Sequence, residues 1–158
     1  FDQYLRGEKT LTPKEQNGFS IFMDEAKGDC FHCHGSNNNP LWTDHKFHNN
    51  GLDPSFENDP GRVNVTGFVL DSGLFKTPTL RNVALSAPYM HDGRFNSLEE
   101  VVDHYNSGGV SSSTIDTFMK YTTGGLELAP QQKEALIAFL NALTDTTFIQ
   151  NPDFSNPH

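Results

Sequence analysis

The sequence predicts an all-α chain with long irregular loops, on three observations. Two capping boxes, Thr12-Pro13-Lys14-Glu15 and Ser97-Leu98-Glu99-Glu100, each open a run of apolar residues at helical spacing. A further run of the same period follows Pro130. Between them, residues 35–75 keep no sustained period and are punctuated by the turn signals Asn37-Asn38-Asn39-Pro40, Asn49-Asn50-Gly51 and Asp59-Pro60-Gly61.

In the first helix Thr12 is placed to cap, Pro13 suits the first turn, and Phe19, Phe22 and Met23 follow at helical spacing. It is expected to reach about Ala26 and to deliver the chain to Cys30. The loop beyond is too long for an ordinary connection and is expected to wrap a functional site, with short helices inside it. Phe75 to Pro88 reads as extended, because Pro78 and Pro88 are excluded from helix interiors. In the second helix Leu98, Val101, Val102 and Tyr105 fall at i, i+3, i+4 and i+7, which turns Tyr105 inward, and Gly108-Gly109 ends it. The third helix puts Leu136, Ile137, Leu140 and Leu143 on one side and ends around Thr144. No internal repeat is visible. The reading is one domain over residues 1–145, with a polar, proline-bearing tail over 146–158 that drapes or frays.

A chain of 158 residues can bury a modest core, but hydrophobic residues are 35% of it and the mean hydropathy is -0.55. Such a chain gains from an apolar body at its centre, and 13 phenylalanines against one tryptophan supply flat rings to line a pocket. Eleven basic and 20 acidic residues give a formal charge of -9, which disfavours nucleic acid as a partner. The same charge would steer a small basic protein toward the surface, although solubility alone also accounts for it. No apolar run approaches the roughly 18 residues of a membrane span. No basic-then-apolar leader opens the chain, so any export signal is expected to have been removed.

Both cysteines stand in Cys30-Phe31-His32-Cys33-His34. Cys-x-x-Cys-His is the attachment signal for c-type haem: the thiols form thioethers with the haem vinyl groups and His34 becomes the proximal iron ligand. One helical turn presents both sulfurs to one edge of the ring and the imidazole to the iron. Two other readings stand beside it. A redox cysteine pair is expected near a βαβ pattern, which this chain lacks. A structural zinc site would have to recruit His32, His34, His45 or His48. Covalent haem implies maturation outside the cytoplasm, which points to the periplasm.

For the other face of the iron, residue types alone rank Met90 first, because His/Met ligation is common in cytochromes c. The alternative for Met90 is packing against the ring edge. Tyr105 is the second candidate, with an ordinary core tyrosine as its alternative. His45 or His48 would give bis-histidine ligation, but their loop also offers them solvent.

Residues Phe75-Lys76-Thr77-Pro78-Thr79-Leu80-Arg81-Asn82-Val83-Ala84-Leu85, followed by Ala87-Pro88-Tyr89-Met90-His91-Asp92-Gly93, resemble the C-terminal haem domain of bacterial di-haem cytochrome c peroxidases and their MauG-like relatives. The likeness extends from Phe1-Asp2-x-Tyr4-Leu5 through Cys30 to His34 and Asp59-x-Gly61-Arg62, to Ala138-Phe139-Leu140-x-Ala142-Leu143. It implies a cytochrome c-like fold carrying one covalent haem c. It also reorders the distal candidates. In the peroxidase branch the distal methionine lies on the helix after the Pro-Tyr-x-His stretch, at the place of Tyr105, and in the MauG-like branch a tyrosine there ligates the iron. A phenolate donor would give a low-potential haem suited to sharing an oxidising equivalent; a Met-ligated haem would be a high-potential port for electrons.

The resemblance further implies a calcium ion between two haem domains, held partly by the backbone carbonyls of Ser86 and Pro88. Arg62 and Arg81 are expected to pair with haem propionates or to brace loops. His91 and Asp92 have no role assigned beyond local hydrogen bonding. The chain would be the second half of a longer enzyme, with an N-terminal haem domain and an electron donor such as a small redox protein as partners. Hydrogen peroxide would react at the other haem, leaving no catalytic residue here. The alternatives from other classes are a stand-alone mono-haem electron carrier and a zinc-stapled binding module.

Overall fold

Both predicted capping boxes form. In the first, the Thr12 amide donates to Glu15 Oε2 at 2.7 Å and the Glu15 amide donates to Thr12 Oγ1 at 3.2 Å. In the second, the Ser97 amide donates to Glu100 Oε2 and the Glu100 amide to Ser97 Oγ, each at 3.2 Å. Each box satisfies amides that the first turn of a helix leaves unpaired.

The structure is a computed structural model that describes residues 1–155. It is mostly helical: α1 (Asp2–Leu5), α2 (Pro13–Phe22), α3 (Phe31–His34), α4 (Val63–Thr66), α5 (Leu98–Ser107), α6 (Pro130–Ala142) and α7 (Thr146–Ile149). A short ribbon joins β1 (Phe47–His48) to β2 (Phe75–Lys76), antiparallel, with Phe47 opposite Lys76. The ribbon is where the structure departs from an all-α chain.

Helices α2 and α6 form the main crossing, and its closeness depends on Gly18. A Cβ there would stand 1.9 Å from the carbonyl oxygen of Ala135. Around the crossing Phe22, Phe139 and Phe1 set their rings against Trp42 at centroid distances of 5.4–5.6 Å, all tilted edge-on. These phenylalanines thus build the helical core, and Phe22, with Phe75 and Phe118, also lines a pocket as expected. On α6 and its C-cap, Leu136, Leu140 and Leu143 are buried as the spacing predicted, and Ile137 packs on the edge of the core.

Helix α2 stops at Phe22 rather than near Ala26. The Asp24 carboxylate accepts the Ala26 amide at 2.9 Å, and the chain turns back so that the amides of Gly28 and Cys30 reach the Ile21 and Phe22 carbonyls. In the stretch from Phe75 to Pro88, β2 covers Phe75–Lys76 and Val83–Leu85 forms a 3-10 turn. In the tail, the Asp145 carboxylate caps α7 by accepting the Thr147 and Phe148 amides. A further 3-10 turn follows at Pro152–Phe154; residues 156–158 lie outside the described part. Among the described residues, no helix is long and apolar enough to cross a membrane.

Candidate haem site

Cys30, Cys33 and His34 stand at i, i+3 and i+4, so one helical turn carries all of them on one face. The turn is α3 with Cys30 as its leading residue. It is fixed at its start by the Cys30 amide on the Phe22 carbonyl and at its end by Gly35, whose φ of 75° breaks the helix. The Asp44 amide then donates to the Cys33 carbonyl at 2.9 Å.

The face opens on a cavity of about 450 Å³, within the range of cofactor pockets. Its walls are mostly apolar, with Leu98 and Val102 from α5 and Leu136 and Leu140 from α6. Tyr105 and Met90 also line it.

The imidazole of His34 is prepared as a ligand. Its Nδ1 lies 3.3 Å from the carbonyl oxygen of Trp42. A carbonyl can only accept, so Nδ1 carries the proton and the Nε2 lone pair is free. Burial pulls the His34 pKa down to about 4, which keeps the ring neutral. The thiols of Cys30 and Cys33 are free, and burial pushes both up to about 12. Two neutral thiols, one neutral imidazole with a fixed tautomer and an apolar chamber are a donor set that fits a covalently held haem.

On the distal side a single amide meets both candidate ligands. Asn50 Nδ2 lies 3.2 Å from Tyr105 Oη and 3.4 Å from Met90 Sδ. Burial pushes the Tyr105 phenol up to about 12. The histidines offered as alternatives are occupied elsewhere. Both nitrogens of His48 face carboxylates, Asp116 at 2.5 Å and Asp44 at 2.8 Å. His45 is exposed, and His32 stacks on Phe118 while its Nδ1 meets Asp29 at 2.5 Å. Those positions leave the zinc reading without an assembled ligand set: no three His, Cys, Asp or Glu side chains group as metal ligands among the described residues.

Neither arginine lines the cavity. Arg81 grips Asp2 through two 2.8 Å bonds and donates to the Pro40 carbonyl, while Arg62 pairs with Asp71 at 3.1 Å and lies over the Phe47 ring. Both brace loops in this arrangement. Ser86 and Pro88 lie on the cavity wall. His91 stacks on Phe75 with 3.5 Å between ring centroids, and Asp92 accepts Arg94 Nε at 2.7 Å.

Sequence reasoning passed over Asn50 and the Trp42 carbonyl. Asn50 sits inside Asn49-Asn50-Gly51, which reads as turn punctuation; the one available signal was a second asparagine where a turn needs a single one.

The chain resembles curated proteins over nearly its whole length. It is 35% identical to the cytochrome-c peroxidase IdrP1 of Pseudomonas sp. (strain SCT) over 91% of this chain and 44% of that protein. It is 34% identical to the methylamine utilization protein MauG of Methylophilus methylotrophus over 90% of this chain and 41% of that protein. The chain belongs to the di-haem cytochrome c peroxidase and MauG family. Among solved structures, a MauG-like protein associated with microbial copper homeostasis superposes with a TM-score of 0.86 at 36% identity, covering 99% of this chain and 51% of that one. The chain therefore spans about half the length of the family members it matches. No protein-family model matches it. The thiols, imidazole and cavity described above agree with a haem domain of that family.

Proposed function

We propose that this chain is the C-terminal, electron-transferring haem domain of a di-haem enzyme. Cys30 and Cys33 would anchor one haem c, with His34 as the proximal and Tyr105 as the distal iron ligand. The observation that carries the reading is the gathering of two thiols, the His34 imidazole and the Tyr105 hydroxyl on the walls of one apolar cavity.

When bound, the haem supplies one-electron exchange at its iron. The chain's own residues do the rest. Cys30 and Cys33 would hold the haem through thioethers to its vinyl groups. The Trp42 carbonyl orients His34 through Nδ1 and leaves Nε2 to bind. Leu98, Val102, Leu136 and Leu140 keep water from the chamber. Tyr105 would hold the iron through its phenol oxygen, with the phenol proton released, and would leave peroxide no site in this domain. Peroxide reduction would then belong to an N-terminal haem domain of the longer enzyme. In the MauG-like form, that enzyme would pass its oxidising power to a protein or small-molecule substrate; the tyrosine at position 105 favours this form.

Residues 1–145 would make up the haem unit, matured in the periplasm. The backbone carbonyls of Ser86 and Pro88 would offer hard oxygen ligands to a calcium ion at the junction with the other half. The acidic surface suits a small basic redox protein as electron donor.

The test is the optical spectrum of the haem-loaded protein, ferric and then reduced, beside Tyr105→Phe and Met90→Leu. Conversion of a low-spin ferric spectrum to a high-spin one by Tyr105→Phe alone supports tyrosine ligation. Conversion by Met90→Leu instead makes this a His/Met electron-entry domain. The single attachment motif also suits a stand-alone mono-haem carrier, which a native intact mass equal to this chain plus one haem would favour.

A further inference from the structure

We infer that Asn50 is the positioning residue of the distal side, selecting the Tyr105 oxygen over the Met90 sulfur. The inference rests on the coordination proposed above for Tyr105.

The geometry is a shared donor. One Nδ2 carries two hydrogens, and within its reach are Tyr105 Oη at 3.2 Å and Met90 Sδ at 3.4 Å. The two acceptors gain unequally. A hydrogen bond to an ionised oxygen is roughly twice as strong as one to a neutral acceptor, and a thioether sulfur is a weak acceptor. The amide therefore gains more at the Tyr105 oxygen than at the Met90 sulfur. The same amide occupies a lone pair of the Met90 sulfur and holds that side chain at the donor.

Selection requires that Asn50 itself be fixed, and the loop around it is stitched on every side. The carbonyl of Asn50 accepts His104 Nε2 at 3.0 Å, one residue before Tyr105 on α5, so Asn50 grips that helix by backbone and side chain together. The buried side chain of Asn49 donates to Ser112 and Thr114, and the Val110 amide donates to the Gly51 carbonyl at 2.7 Å. Gly51 has a φ of 68°, a left-handed conformation that glycine takes at no steric cost and that shapes this turn.

Met90 is held as firmly. It has a φ of 72° at the tip of a turn closed by Tyr89 and Phe95, whose amides and carbonyls face each other at 2.7 and 3.4 Å. Arg94 ties that turn to the Asn50 loop through the Leu52 carbonyl at 3.2 Å and the Asp53 carboxylate at 2.7 and 3.0 Å. Both ligand candidates and their common donor thus belong to one braced unit.

The experiment compares haem-loaded wild type, Asn50→Val, Tyr105→Phe and the double variant Asn50→Val/Met90→Leu by ferric spectrum and midpoint potential. Asn50→Val is expected to gain the near-infrared band of sulfur ligation and to raise the potential, and the double variant is expected to lose that band. A second measurement needs no substitution: in wild type, resonance Raman bands of the coordinated phenolate should shift between H2O and D2O because the amide hydrogen exchanges. If Tyr105→Phe changes the spectrum but Asn50→Val matches wild type in spectrum and potential, the role of Asn50 is overturned while tyrosine ligation stands. If Tyr105→Phe leaves the spectrum unaltered, the coordination reading fails and this inference with it. Should Asn50→Val not take up haem, the absence of a solvent-isotope shift in wild type overturns the role on its own.

Discussion

The His34 Nδ1 and the Trp42 carbonyl stand 3.3 Å apart, and the indole of Trp42 is only 2% exposed. One residue therefore joins the densest part of the core to the ring that would bind iron. Its backbone holds a φ of 52°, an uncommon value for a large side chain, and the same carbonyl also accepts the Leu80 amide at 3.3 Å. Packing of the indole against Phe22 and Phe139 keeps that carbonyl in place.

Trp42→Ala is expected to cost about 3–5 kcal/mol, the usual range for removing a large buried aromatic. The denaturant midpoint of the haem-loaded protein would report the loss. Loosening of His34 would appear as a broadened or partly high-spin ferric spectrum below the unfolding range. An unchanged midpoint would mean that the aromatic cluster does not bear on the core as described.

Gly18→Ala should destabilise the protein, although helix propensity alone favours alanine by nearly 1 kcal/mol. The added methyl would meet the Ala135 carbonyl at 1.9 Å and force α2 and α6 apart. Overpacking of this kind costs about 1–3 kcal/mol and sometimes more. Thermal unfolding of the variant gives the sign directly, and a rise in midpoint would contradict the close crossing.

His48 supplies a dependence on pH. Burial opposes its charge, but hydrogen bonds to Asp116 and Asp44 outweigh burial and raise its pKa above the usual 6.5. A raised folded pKa means that the charged clamp contributes fully below 6.5 and is lost as pH rises through the higher folded value. Asp44 is shifted down: burial works against this, and the bond to His48 prevails, so its share is lost as pH falls through its lowered value. Stability measured by denaturant should therefore decline above pH 6.5 by about 1–2 kcal/mol, the scale of partly exposed charge-assisted bonds. His48→Gln should flatten that alkaline limb; a slope retained in the variant would assign it to another group.

The helical frame was legible because capping boxes and apolar spacing are local. Thr12 with Glu15, Ser97 with Glu100, and the stop at Gly108 all act within a few residues of themselves. So was the attachment turn, since Cys30, Cys33 and His34 need only their own spacing to share a face. The β1–β2 ribbon was not legible, because two-residue strands separated by a long loop leave no period to read. Nor were the partners of Arg81 and Arg62. An arginine looks alike in sequence whether it meets a propionate or a carboxylate such as Asp2, and only the folded loops decide. Asn50 belongs to the same class: its two acceptors lie 40 and 55 positions away in the chain.

The stitching of Asn49 to Ser112 and Thr114 has a consequence for how such a domain changes over time. The thiols and His34 hang from a helical crossing whose cohesion is apolar and collective, so alteration there would weaken the whole body. The opposite wall joins α5, which carries Tyr105, to loops through individually replaceable polar contacts. On the coordination proposed above, substitutions on that wall would trade one iron-binding atom for another while the helical body stays folded. The architecture thus divides inheritance of the haem from adjustment of its redox character, and gives lineages built on this scaffold a way to take up new electron chemistry through single loop residues.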